Sequence, residues 1–123
     1  MIFMKKIFLC MAMIGMLAAC DAPAPKNYSE LPEPLPESEG ELLFLESKCP
    51  VCHGYQGAGN GFLSAGLKPQ PLDFSSAVVM AEISDPQLQA AIRNGKSSAM
   101  PAYAQFTDGQ LAELTRYIRS LSK

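Results

Sequence analysis

The sequence predicts a small all-α domain in which three main helices and long loops surround a centre that side chains alone do not fill. Apolar residues recur at helical spacing in three segments, and we find no alternating strand pattern of useful length. The folded part has about 84 residues, and three short helices give such a chain only a thin core. The thin core indicates that a group other than side chains fills the centre of the domain.

The first predicted helix begins near residue 38. Ser38 and Glu41 have the spacing of a capping box, in which each residue's side chain bonds the other's backbone. An apolar stripe follows at helical spacing and consists of Leu42, Leu45 and Cys49. The pattern therefore predicts a short helix that runs into a pair of cysteines.

The second and third predicted helices lie in the C-terminal half. The second opens at Ser84 and ends at Gly95, a residue suited to a helix C-terminus. Its predicted inner face consists of Leu88, Ala91 and Ile92. The third opens at Thr107 and ends in basic residues that suit the helix dipole. Its apolar stripe consists of Leu111, Leu114, Ile118 and Leu121.

Residues 1–19 are predicted to be a lipoprotein signal peptide. Two lysines precede the apolar run 7–17, which is too short to span a bilayer comfortably. The run ends in Leu17-Ala18-Ala19-Cys20, which resembles a bacterial lipobox. We therefore expect cleavage before Cys20 and acylation of its thiol, and hence export with a lipid anchor. An uncleaved membrane anchor, or an ordinary free thiol at Cys20, is the alternative.

Residues 20–39 are predicted to be a linker between the lipid and the domain at residues 40–123. Five prolines stand among acidic and small residues, and such a composition cannot bury enough surface to form a core. In extended polyproline form it could reach roughly 60 Å. From residue 47 onward seven Lys and Arg residues stand against five Asp and Glu, too few for a nucleic-acid binder.

The strongest signal in the chain is Cys49-Pro50-Val51-Cys52-His53. Two thiols at this spacing can add to the two vinyl groups of one haem, and the next residue supplies an imidazole to the iron. Two other sites use similar residues. A thiol oxidoreductase would need a βαβ pattern, which is absent, and a zinc site would need a fourth ligand. One covalent haem c is therefore predicted, held through Cys49 and Cys52.

The candidate axial ligands of the iron are the histidine and the methionines of the chain. His53 is the single histidine of the chain, so it must be the proximal ligand. Two methionines remain beyond the signal peptide, Met80 and Met100. Met80 lies in an apolar run and is expected to fill the core. Met100 precedes Pro101 in a loop between the second and third helices, where a stiffened thioether can be held over the iron.

This ordered set of motifs resembles class I cytochrome c, in its bacterial periplasmic monohaem branch, over residues 38–123. The resemblance rests on the haem motif, the Gly-rich segment 57–61, the Pro-rich segment 67–74, Met100 with Pro101, and the C-terminal segment 114–121. It implies a haem held by Cys49 and Cys52 with His53 and Met100 as axial ligands. The predicted apolar haem shell includes Leu67, Phe74, Ile92, Tyr103 and Leu114.

Two departures from the family pattern bear on this prediction. Family members commonly place a glycine and an aromatic eight and four residues before the first cysteine, whereas Gly40 and Phe44 lie nine and five before Cys49. Either the end of the helix holds an extra residue, or Leu45 replaces the aromatic at the crossing with Tyr117. Phe62 stands where relatives often have proline, so the acceptor that orients His53 stays unnamed.

The resemblance implies an electron carrier rather than an enzyme. With both axial positions filled, no site is left for a small-molecule substrate, and the partners are expected to be redox proteins. Localisation is expected to be periplasmic, with a lipid anchor in a bacterial membrane. Asp21 after the lipidated cysteine favours the inner membrane. The alternatives are a haem subunit of a periplasmic dehydrogenase or reductase complex, and a haem sensor with a labile Met100.

Overall fold

This computed structural model describes residues 35–123 of the chain. These residues form five α-helices and one short 3-10 turn, which are joined by loops. The helices are α1 (Glu39–Glu46), α2 (Pro50–His53), α3 (Ala77–Ala81), α4 (Asp85–Asn94) and α5 (Asp108–Ser120), and the 3-10 turn is Ser64–Gly66. These residues contain no strand beyond an isolated bridge between Lys96 and Met100. The predicted all-α fold class is confirmed. The signal peptide, the lipidation site at Cys20 and most of the linker lie outside the described residues.

Helix α1 begins as predicted but ends earlier. The Ser38 hydroxyl accepts from the Glu41 N–H at 3.1 Å, while the Glu41 carboxylate accepts from the Glu37 N–H at 2.7 Å, so half of the predicted capping box forms. The prediction that the helix runs into Cys49 is wrong. Lys48 has a φ of +61° and ends the helix, and α2 then begins with Pro50 at its first position.

The break between α1 and α2 is a Schellman motif, the usual backbone solution at a helix C-terminus. The N–H of Lys48 donates to the Leu45 carbonyl at 3.1 Å. The N–H of Cys49 donates to the Phe44 carbonyl, also at 3.1 Å. Lys48 occupies the left-handed position that glycine usually takes. It is therefore the extra residue at the end of the helix. This was the first of the two alternatives that explained why Gly40 and Phe44 lie one residue further from Cys49 than the family pattern has them.

The buried face of α1 also differs from the prediction. Leu42 is 42% exposed and Leu45 is half-buried, while Gly40, Leu43 and Phe44 are buried. Gly40 lets α5 approach, because a Cβ there would lie 2.8 Å from the carbonyl carbon of Glu113. The Phe44 ring meets Tyr117 with ring centroids 5.3 Å apart. The crossing therefore uses Gly40 and Phe44, and Leu45 does not replace the aromatic.

Helices α4 and α5 begin and end close to their predicted bounds. The Gln87 side chain accepts from the Ser84 N–H at 2.8 Å, and the Gln110 side chain accepts from the Thr107 N–H at 3.0 Å. Gly95, at the end of α4, has a φ of +74°. Of the predicted faces, the buried residues are Leu88, Ile92, Leu111, Leu114 and Ile118, whereas Ala91 and Leu121 are half-buried.

The short helix α3 was not predicted, and it supplies Met80 to the core. Met80 is 2% exposed, so the expectation that it fills the core is confirmed. Arg119 of α5 holds the corner between α3 and α4. Its guanidinium donates to the Met80 carbonyl at 2.6 Å, to the Ile83 carbonyl, and to the Asp85 carboxylate at 2.8 Å.

The core joins α1, α3, α4 and α5 with residues from the loops. Its buried apolar members are Leu43, Phe44, Phe74, Met80, Leu88, Ile92, Phe106, Leu111, Leu114 and Ile118. Among residues 35–123, none of the helices has the length and apolar character that crossing a bilayer requires.

Candidate functional site

A cavity of about 740 Å³ lies between α2, α4, α5 and the loops that connect them. This volume falls within the range of roughly 300–1,000 Å³ that is typical of cofactor sites. All four residues predicted to bind haem or iron line it: Cys49, Cys52, His53 and Met100. All five residues predicted for the apolar shell line it too: Leu67, Phe74, Ile92, Tyr103 and Leu114. The fold thus brings the whole predicted site together.

One turn of helix presents the two thiols and the imidazole to this cavity. Cys49 caps α2, and its carbonyl accepts from the N–H of His53 at 2.9 Å. Both Cys49 and Cys52 are free thiols, half-buried in the cavity wall. Burial raises the pKa of Cys49 to about 11, because an apolar wall disfavours the thiolate. The free side chain of Cys49 is therefore a protonated thiol at neutral pH.

The imidazole of His53 is held from two sides. Its Nδ1 lies 3.4 Å from the carbonyl oxygen of Leu72, and the Phe74 ring stacks on it at 4.4 Å with an interplanar angle of 13°. Burial lowers the pKa of His53, which favours the neutral ring. With Nδ1–H donating to Leu72, the lone pair of Nε2 is available to a metal. Leu72 is thus the acceptor that the sequence could not name.

The Gly-rich loop after His53 fixes this arrangement. The N–H of Gly59 donates to the His53 carbonyl at 2.8 Å, which satisfies the end of α2. The N–H of Phe74 donates to the Gly57 carbonyl at 2.7 Å, which holds the stacked ring in place. Gly57 has a φ of +73°, and a Cβ there would lie 2.9 Å from the Cβ of Phe74. Phe62 does not line the cavity and is 91% exposed.

Met100 lies in a closed loop that follows α4. Its N–H donates to the Lys96 carbonyl at 3.2 Å, and its carbonyl accepts from the Lys96 N–H at 3.1 Å. The N–H of Tyr103 donates to the Ile92 carbonyl at 2.9 Å, which returns the chain to α4. Met80 does not line the cavity. Of the two methionines, Met100 is therefore the one placed to serve the site.

Two hydrogen bonds of the site were not predicted from the sequence. The Leu72 carbonyl has no side-chain signature, since any residue supplies a backbone acceptor. Tyr103 was assigned to the apolar shell, but its hydroxyl also donates to the carbonyl of Ser47 at 3.1 Å. Burial raises the pKa of Tyr103, so this hydroxyl is a neutral donor at physiological pH. The hydroxyl of Tyr103, a polar group among the residues predicted for the apolar shell, was the available signal.

The residues of the cavity fit a covalently bound haem. Two thiols and a neutral imidazole lie on one helical turn, a thioether lies on another wall, and the remaining lining is mostly apolar. Cys49 and Cys52 would hold the porphyrin, and His53 and Met100 would ligate its iron. A cluster of apolar residues around such a donor set suits a porphyrin better than a bare metal ion, which prefers polar ligands on all sides.

Two comparisons with known proteins bear on the family to which the chain belongs. The family model described as cytochrome c oxidase, cbb3-type, subunit III matches residues 36–118, more than half of the chain. A chain of the reducing HAO-like protein complex of Kuenenia stuttgartiensis has a similar structure, with a TM-score of 0.56 and 26% sequence identity. That match covers 76% of this chain and 45% of the other, so this chain spans less than half of its length. The chain belongs to the cytochrome c family and is an electron-transfer haem protein.

Proposed function

We propose that this protein is a membrane-tethered monohaem cytochrome c that passes single electrons between periplasmic redox proteins. The observation that carries the proposal is that Cys49, Cys52, His53 and Met100, dispersed over fifty-two positions of the sequence, line one cavity. A haem bound there would supply a one-electron ferric–ferrous couple. Thioether bonds to Cys49 and Cys52 would keep that cofactor in place permanently, as a carrier requires.

The chain's own residues favour a stable, reversible couple. The Leu72 carbonyl and the Phe74 ring orient His53, so this ligand needs no rearrangement between the two redox states. The bridge between Lys96 and Met100 holds the thioether on a closed loop. The mostly apolar walls would disfavour extra positive charge on a bound haem and would therefore raise its reduction potential. A haem iron ligated by both His53 and Met100 would have no position left for a substrate, which supports a carrier rather than an enzyme.

Haem content and ligation are tested together. One covalent haem per chain is expected from the intact mass and the pyridine haemochrome spectrum of protein expressed in a bacterial periplasm. The ferric protein should show the weak near-infrared band of methionine ligation. Met100→Ala should abolish this band, lower the potential and open the iron to exogenous ligands, whereas the matched variant Met80→Ala should retain it. Haem that extracts with acidified solvent, or loss of the band in Met80→Ala, would contradict the proposal.

The tether is supported by the sequence alone. A lipid on Cys20 and the proline-rich linker 20–39 would let the domain move near a membrane while it exchanges electrons with its partners. Cys20→Ser should release the haem domain into the soluble fraction with an unchanged spectrum. Retention of that variant in the membrane would point instead to an uncleaved N-terminal helix.

A second candidate function is a haem subunit of a larger oxidoreductase complex. The observation in its favour is the similarity to a chain of the reducing HAO-like protein complex. Purification from native membranes after mild detergent treatment distinguishes the two. A stoichiometric partner that stays bound at high salt favours the subunit, while a free monohaem species favours the mobile carrier.

A further inference from the structure

The loop that carries Met100, residues 95–103 and called the Met100 loop below, is attached to the rest of the domain at two different places. At its base, the N–H of Tyr103 donates to the Ile92 carbonyl at 2.9 Å, which joins the loop to α4, the helix that precedes it. Across the cavity, the hydroxyl of Tyr103 donates to the carbonyl of Ser47 at 3.1 Å. Within residues 35–123 this is the hydrogen bond that joins the Met100 loop to the segment carrying the cysteines.

The acceptor of this bond is well defined. Ser47 follows the last residue of α1, where the helix leaves carbonyl groups without intrahelical partners. The Schellman motif at Lys48 satisfies the carbonyls of Phe44 and Leu45. The Ser47 carbonyl is instead satisfied by the Tyr103 hydroxyl, and it lies two residues before Cys49. The bond therefore ends on backbone that is fixed beside the covalent attachment site.

The tyrosine ring is itself held in place. It lines the cavity and stacks on Phe106 with a centroid distance of 5.6 Å and an interplanar angle of 7°. Tyr103 lies only three residues from Met100, and Pro101 stiffens the chain between them. A ring fixed at one end by stacking and at the other by its hydroxyl restrains the short segment that carries the thioether.

We propose that Tyr103 is a positioning residue for Met100, whose hydroxyl fastens the ligand loop to the Ser47 carbonyl and keeps the thioether on the iron. The inference rests on the proposed ligation by Met100. Removal of this bond would let the loop open more often, so an exogenous ligand would compete more effectively for the sixth position of the iron.

The test compares variants of the ferric holoprotein with imidazole as the competing ligand. Tyr103→Phe keeps the ring and removes the hydroxyl. Its apparent affinity for imidazole should rise by roughly two- to tenfold, the equilibrium effect of losing one hydrogen bond of ordinary strength. Tyr117→Phe is the matched control, because it makes the same change on a half-buried ring outside the cavity. This control should bind imidazole as the wild type does.

A double-mutant cycle separates a specific role from general loosening. In a Met100→Ala background imidazole has no thioether to displace, so Tyr103→Phe should change its affinity by less than about twofold. An equal effect in both backgrounds, or wild-type imidazole affinity in Tyr103→Phe, would overturn the role of Tyr103. A wild-type protein that lacks the near-infrared band would instead refute the ligation by Met100 itself, so the two failures are distinct.

Discussion

Gly40→Ala tests the crossing of α1 and α5, the contact that joins the first and last helices of the domain. A Cβ at this position would lie 2.8 Å from both the carbonyl carbon of Glu113 and the Cβ of Tyr117, where ordinary contact begins at 3.4 Å. The carbonyl oxygen of Glu113 would lie closer still, so the helices would have to separate by more than about 0.6 Å, and none of these atoms can rotate away. Such overpacking costs up to about 3 kcal/mol, while alanine gains about 1 kcal/mol in helix propensity.

The expected result is therefore a net loss of about 2 kcal/mol, equivalent to a fall in Tm of roughly 8–16 °C for a domain of this size. Thermal unfolding of the holoprotein, followed by far-ultraviolet circular dichroism, measures it. Gly109→Ala is the matched control within α5, because the nearest atom to its added Cβ lies 3.9 Å away. It should be neutral or stabilising by up to about 1 kcal/mol. An unchanged or higher Tm in Gly40→Ala would refute the close approach of the helices.

Three further substitutions, the first with a matched control variant, test other parts of the fold. Arg119→Met removes the guanidinium that holds the corner between α3 and α4, so it should lower the free energy of unfolding by about 2 kcal/mol. The matched change Arg116→Met affects an exposed ion pair and should stay within about 0.5 kcal/mol in a denaturant titration. Met80→Ala should cost about 2–5 kcal/mol through a cavity in the core, and equal stability of the variant would contradict its burial. Phe62→Ser should change stability by less than about 0.5 kcal/mol and leave the visible spectrum intact, because this ring is 91% exposed.

The sequence by itself determined the chemistry of the site and most of the helices. Cys49, Cys52 and His53 are adjacent in the chain, so their reactivity toward one haem needs no tertiary information. The starts of α4 and α5 were equally local, since a capping residue and its partner lie three positions apart. Met100 could be chosen over Met80 because its loop and its proline are visible in the sequence.

Only the tertiary structure decided which faces and which backbone groups serve the site. The inner face of α1 was predicted wrongly because Lys48 shifts the register between the helix and Cys49, and a lysine in a glycine-like position gives no sequence signal. The acceptor for His53 lies nineteen residues away, and Tyr103 reaches Ser47 across fifty-six. Both acceptors are backbone carbonyls, which every residue carries, so their selection depends on how the folded chain brings distant segments together.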